Sequence, residues 1–146
     1  MKAPQNVNDI WGLVGALQAA EVQVQPAALK ALENFANQPS AEAVVLRRRT
    51  LEQLGCSNIS GDKVCKIAED FRLRCCPIER VLSLRLECDN QPRGEYIRMP
   101  AVDSDGKLWM FVLYNQQNEG VSISAYDVRT SDQEQSYYEF IFAEQA

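Results

Sequence analysis

Apolar residues in the first half of the chain recur with the spacing of amphipathic helices. The clearest pattern has apolar residues three or four positions apart, at Ile10, Leu13, Val14 and Leu17. Asn8 can cap this helix, and Pro26 suits the first turn of a second one. Similar patterns predict a third helix over 41–54 and a fourth over 60–71. The first half therefore predicts a layer of about four helices, spanning residues 8–71.

From residue 79 onward, apolar and polar residues alternate with the period of β-strands. In the clearest example, single polar residues separate Leu82, Leu84, Leu86 and Cys88. Five strands are predicted in this way, over residues 82–88, 95–102, 108–114, 121–125 and 137–143. The third strand is apolar on both faces, so we expect it to be central. Short connections between successive strands predict an antiparallel meander.

The two halves together predict a single α+β domain over residues 1–146, with a helical layer at 8–71 and a sheet layer at 79–143. We expect the helices to pack on one face of the sheet, because a meander with one apolar face must bury that face. The chain has no apolar run of the roughly 20 residues needed to cross a membrane, and its first residues do not resemble a signal peptide. We therefore expect a cytoplasmic protein with no membrane partner.

Histidine is absent from the chain. Its absence excludes Ser-His-Asp and Cys-His nucleophile pairs, histidine general bases and imidazole metal ligands. No other catalytic motif is recognisable in the sequence. Residues 103–106 include two carboxylates and a glycine, but they lack the further oxygen ligands of a calcium loop and predict a hairpin turn. We therefore expect a protein that is not an enzyme and that needs no metal or cofactor.

The five cysteines cluster between positions 56 and 88. Their spacing contains no Cys-x-x-Cys pair, so it does not predict a zinc site. Disulfides are not expected either, because cytoplasmic proteins rarely keep them. Cys75 and Cys76 stand among arginines, and nearby positive charge lowers the pKa of a thiol. These two residues are therefore the candidates for a reactive thiol.

Basic residues concentrate on the predicted helices. Arg47, Arg48 and Arg49 belong to the third predicted helix, and Arg72 and Arg74 follow the fourth. Because the two helices are joined by a short connection, they have the outline of a helix-turn-helix, and a DNA-binding regulator is one alternative function. Acidic residues on the second of these helices disfavour it, so nucleic acid is an unlikely partner.

Acidic residues concentrate in the second half of the chain. The whole chain carries a net charge of −5, with nine Lys/Arg against eight Asp/Glu up to residue 77 and six against twelve after it. Tyrosines also concentrate there, and tyrosine carries binding energy well at interfaces. The sequence therefore predicts a small, non-enzymatic interaction module that binds a basic partner protein, as inhibitors, immunity proteins and chaperones do. The predicted contact residues, on the sheet face and acidic loops, are Asp103, Asp105, Tyr114, Tyr126, Asp132, Glu134 and Tyr137.

A pocket between the sheet and the helices is a second alternative. It would bind a small molecule and would be lined by Trp109, Met110 and Phe140. The sequence does not define the oligomeric state and leaves a homodimer open.

Overall fold

The protein has one large mixed β-sheet with helices on both faces. The computed structural model describes residues 9–37, 44–88, 90–116, 120–129 and 133–145. Within these ranges the α-helices are α1 (Ile10–Ala19), α2 (Pro26–Leu32), α3 (Val64–Glu69) and α4 (Ile78–Glu87), and short 3₁₀ turns cover Glu52–Leu54 and Gly61–Lys63. The strands are β1 (Gln23–Val24), β2 (Leu46–Thr50), β3 (Ile59–Ser60), β4 (Leu73–Arg74), β5 (Tyr96–Val102), β6 (Leu108–Gln116), β7 (Gly120–Asp127), β8 (Gln133–Glu134) and β9 (Glu139–Glu144).

The strand order confirms the mixed α+β class but not the predicted meander. The main sheet has seven strands in the order β1-β7-β6-β5-β9-β2, with β4 also paired to β9, while β3 and β8 form a separate ribbon. The antiparallel meander holds for β5, β6 and β7, and β6 is an interior strand as expected. The prediction of five antiparallel strands was wrong, because β9 returns across the sheet to pair with β5 in parallel and β1 pairs with β7 in parallel.

The first two helices follow their predicted patterns. The apolar residues predicted for α1 are its buried residues, and the Asp9 carboxylate accepts a hydrogen bond from the Gly12 backbone N–H at 2.7 Å. The predicted cap, Asn8, lies outside the described residues. A proline at the first position opens α2, as predicted. Both helices could be read from sequence because their buried faces have the helical period.

The segment predicted as the strand 82–88 is part of helix α4. The residues that α4 buries are Ile78, Val81, Leu82 and Arg85, which have the helical spacing i, i+3, i+4, i+7. The fourth of these positions holds an arginine, so the apolar stripe is incomplete in the sequence. The half-buried Leu84 and Leu86 supplied the misleading alternation.

The segment predicted as a helix over 41–54 contains strand β2 instead. Arg47, Arg48 and Arg49 lie on β2, which pairs with β9 at the edge of the sheet. A helix-turn-helix is therefore not formed. The fourth predicted helix is shorter than expected, since α3 begins at Val64 and Phe71 is 47% exposed instead of packed inward.

Helices cover both sheet faces, not one. On the first face, α1, α2 and α4 bury the alternate sheet residues that include Met99, Phe111 and Ile123. On the second face, the 3₁₀ turn Glu52–Leu54 and α3 pack over a core that includes Met110, Phe140 and Phe142. The layer formed by this 3₁₀ turn and α3 over the second face is small. Half-buried tyrosines, Tyr126 and Tyr138, pack at the margin of its core, and the candidate site lies beside them.

A disulfide joins α3 to the segment before α4, contrary to expectation. Cys65 and Cys75 are bonded, with their Cα atoms 6.2 Å apart. Disulfides were not expected because a reducing compartment was assumed for the chain. Disulfides are more typical of oxidising compartments. The cytoplasmic location therefore stays a prediction.

Removing the disulfide is expected to destabilise the fold. The bond closes a loop with a sequence separation of 10, and the chain-entropy model gives such a loop about 2–3 kcal/mol of stabilisation. Urea denaturation of the variant C65S/C75S should show this loss, and reducing agent should lower the wild-type midpoint similarly. The variant C56S is the control, because Cys56 is a free cysteine. Equal midpoints for the two variants would contradict the prediction.

Candidate functional site

Two adjacent grooves open beside the small cover of the second sheet face. The first has a volume of about 650 Å³ and is lined by Arg98, Tyr126, Asp127, Gln133, Glu134, Gln135 and Tyr138. The second has a volume of about 440 Å³ and is lined by Gly94, Glu95, Tyr96, Arg98, Tyr137, Tyr138 and Glu139. Arg98 and Tyr138 line both, so they form the wall between the grooves.

This wall is built around a buried ion pair. Arg98 projects from β5, and its Nε lies 3.2 Å from Oε1 of Glu134 on β8. The side chains of Arg98 and Glu134 are only 15% and 4% exposed. The Tyr138 ring covers the guanidinium, with the guanidinium carbon 3.7 Å from the ring centre. Such a contact adds cation–π attraction to the ion pair.

The second carboxylate oxygen of Glu134 is also occupied. The hydroxyl of Tyr126 donates a hydrogen bond to Oε2 at 2.5 Å. Burial and this hydrogen bond raise the pKa of Tyr126 well above its usual value, so the phenol stays protonated. Since both oxygens of Glu134 are engaged, the carboxylate serves as a fixed acceptor. The wall is therefore a rigid platform.

Exposed tyrosine rings flank the second groove. Tyr96 stacks on Tyr114 with ring centres 5.3 Å apart and planes 9° from parallel, and Tyr137 meets Tyr138 edge to face at 5.1 Å. Tyr137 is 72% exposed and Tyr96 is 43% exposed. Both therefore present large aromatic surface to solvent.

Two carboxylates at the second groove share one arginine. Nη2 of Arg48 lies 2.7 Å from Oε2 of Glu95, and its Nε donates to Glu139. Arg48 reaches them from β2, on the far side of β9. The side chains of Arg48 and Glu139 are 43% and 41% exposed, so this ion pair faces water.

The predicted acidic contact residues do not form one common surface. Asp103 and Glu134 are buried, Asp105 is exposed, and Asp132 lies outside the described residues. Asp103 organises its hairpin, since it accepts hydrogen bonds from the backbone N–H groups of Asp105 and Lys107 and from the Trp109 indole N–H. Burial alone raises the pKa of this carboxyl, but these hydrogen bonds outweigh burial and hold the pKa below its usual value. Asp103 therefore has a structural role.

The predicted tyrosines do come together. Tyr126 lines the first groove, Tyr137 lines the second, and Tyr114 supports Tyr96 at the second. Sequence reasoning missed Tyr138 and Arg98. Arg98 carried no signal, because a charged residue between Ile97 and Met99 fits the ordinary alternation of a half-buried strand. The sequence around Glu95 and Glu139 also gave no indication that these two residues share a site.

The predicted small-molecule pocket is not assembled. Trp109 packs against the core on the first sheet face, whereas Met110 and Phe140 are fully buried in the core on the second. Neighbouring residues on a strand point to opposite faces, so these side chains do not line one cavity.

The predicted basic patch is largely paired with other groups. Arg47 lies 2.5 Å from Glu144, Arg48 bonds Glu95 and Glu139, and Arg49 donates to the backbone oxygen of Arg48 at 2.8 Å. Arg72 precedes β4, which lies on the opposite side of β9 from β2, and Arg74 belongs to β4. The arginines therefore do not form one helical surface.

The predicted reactive thiols are also not available. Cys75 is in the disulfide, and Cys76 is buried with its Sγ 3.4 Å from the Ile141 backbone oxygen. Burial raises the pKa of the Cys76 thiol to about 12, against the opposing charges of Arg74 and Arg80. A thiol with such a pKa is not a nucleophile near neutral pH.

The described residues hold no group of three or more His, Cys, Asp and Glu side chains arranged to bind a metal ion. They also include no helix with the length and apolar character of a membrane span. Comparisons with protein-family models, curated proteins and solved structures found no match to this chain.

Proposed function

We propose that the protein is a non-enzymatic interaction module that binds another protein through the two grooves. The observation that supports this function best is the juxtaposition of exposed tyrosine rings with a rigid, buried arginine wall. Tyrosine and arginine are enriched among the residues that dominate binding energy at interfaces. The proposed contact surface is therefore the two grooves, in place of the sheet face and acidic loops that were predicted from the sequence.

The rigidity of the wall favours binding. Arg98 is fixed by Glu134 and by the Tyr138 ring, and Glu134 is fixed by Tyr126. Side chains that are already ordered lose little conformational entropy when a partner docks. The exposed Tyr137 and Tyr96 rings then add contact area with few rotatable bonds.

The charge of the protein favours a basic partner. The net charge of −5 attracts a positively charged surface at long range and speeds its association at low salt. Acidic side chains near the grooves include Glu95, Asp127 and Glu139.

Affinity capture with matched variants tests this proposal. Wild-type protein, Y96S/Y137S and the control W11S would each be incubated with an extract of the native host at about 50 mM salt. Trp11 is an exposed aromatic, 49% accessible, on α1 over the other sheet face. We expect a protein that wild type and W11S retain and that Y96S/Y137S loses by at least tenfold, since hot-spot residues contribute about 2 kcal/mol or more. Capture of the same proteins by all three variants, or of none, would contradict the proposal.

A further inference from the structure

We infer that the second groove receives an arginine side chain of the partner, and that Arg48 holds the same carboxylates as an intramolecular stand-in. This inference rests on the proposed function and names the chemistry of its partner. It follows from three features of the groove, which are its carboxylate pair, its aromatic walls and its charge balance.

The carboxylate pair already binds a guanidinium. Glu95 and Glu139 come from the starts of β5 and β9, and one Arg48 side chain bonds both. The ion pair is exposed to solvent, with Arg48 43% accessible. Exposed ion pairs contribute about 0–1 kcal/mol, so a competing guanidinium can displace Arg48 at small cost.

The aromatic walls suit the flat face of a guanidinium. Arginine stacks on aromatic rings and also bonds carboxylates in the plane of the guanidinium, so one arginine satisfies both kinds of groups. A related arrangement lies next to the groove, where Arg98 forms an ion pair with Glu134 and its guanidinium lies under the Tyr138 ring. Tyr96 and Tyr137 offer uncovered ring surface beside Glu95 and Glu139.

The charge balance favours an entering cation. The ion pairs of the second groove and its wall contain the arginines Arg48 and Arg98 and the carboxylates Glu95, Glu134 and Glu139. In this set negative charge is in excess by one, whereas Asp127 at the first groove is paired with both Lys107 and Arg129. An anionic ligand would meet Glu95 and Glu139 directly, whereas a guanidinium restores neutrality.

Titration with a small probe tests this inference. N-acetyl-arginine amide would be added to wild-type protein, R48A and the control R47A in about 20 mM salt, and backbone amide shifts would be followed by NMR. We expect shifts centred on Gly94, Tyr96 and Tyr137, and a dissociation constant two- to fivefold lower for R48A, because the variant lacks the competing exposed ion pairs with Glu95 and Glu139. R47A should match wild type, because Arg47 pairs with Glu144, which does not line either groove.

N-acetyl-citrulline amide is the matched neutral probe, and E95Q/E139Q is the variant in which both carboxylates of the groove have lost their charge. Neither should give binding at these residues. Equal binding of citrulline and arginine, or no difference between R48A and R47A, would overturn the inference. The tyrosine-dependent capture described above is a separate readout. If capture needs Tyr96 and Tyr137 while the arginine probe does not bind, the docking function stands and only its cation chemistry fails.

Discussion

Replacing Arg85 by methionine is expected to lower the free energy of unfolding by about 3–5 kcal/mol. Arg85 is fully buried on α4. Its Nη1 donates to Oε1 of Gln91 at 2.6 Å and to the backbone oxygen of Ser122 at 3.2 Å, and its Nη2 donates to the backbone oxygen of Cys88. Methionine fills similar space but leaves these buried acceptors without their donor. Urea denaturation monitored by circular dichroism measures the loss.

Arg80 provides the control on the same helix. It is 29% exposed and hydrogen-bonds the nearby Ser83 hydroxyl. The variant R80M should change the free energy of unfolding by less than about 1 kcal/mol, as is usual for surface sites. If R85M were no more destabilising than R80M, Arg85 would not be the link between α4 and the β6–β7 pair that its hydrogen bonds imply.

The burial of Arg85 also shows why hydrophobic periodicity did not predict helix α4. Hydrophobic periodicity is a local signal, and it identified α1 and the run from β5 to β7 because most buried positions there hold apolar residues. In α4 a buried position holds an arginine whose acceptors lie on other elements. Nothing in residues 78–88 themselves distinguishes this buried arginine from an exposed one, so the alternating leucines predicted a strand.

Strand β2 was mispredicted for a related reason. The third helix was predicted from the apolar pattern over residues 41–54, a local signal that the run of three arginines does not oppose because arginine has good helix propensity. The residues that make it a strand are distant in sequence, because Arg47 pairs with Glu144 and Arg48 with Glu139, 97 and 91 positions away. Tertiary pairing overrode local preference there.

The sequence predicted tyrosines at a contact surface, but it did not predict which charged residues surround them in the grooves. The structure places the predicted Tyr126 and Tyr137 at the grooves and Tyr114 against Tyr96, and their part in binding stays a prediction. Two of the predicted acidic residues, Asp103 and Glu134, are buried, because burial is set by packing. Glu134 is buried because β8 pairs with β3 and brings it to Arg98, a contact between elements that no local pattern encodes.

The Arg98–Glu134 pair should show strong energetic coupling. Replacing Arg98 by methionine leaves Glu134 as a buried carboxylate whose remaining side-chain partner within the described residues is the Tyr126 hydroxyl, and breaking a buried pair in this way costs about 3–5 kcal/mol. E134Q removes the charge but keeps an acceptor for Tyr126. The double variant R98M/E134Q should therefore be about 2–3 kcal/mol more stable than the sum of the single effects predicts.

The exposed pair Arg47–Glu144 is the matched control for this cycle. Its side chains are 47% and 38% exposed, against 15% and 4% for Arg98 and Glu134. Coupling between R47M and E144Q should stay below about 1 kcal/mol, because water screens an exposed pair. Similar coupling in the two cycles would mean that solvent reaches the Arg98 wall freely. In that case the grooves would lack the rigid base that makes them suitable for docking a partner.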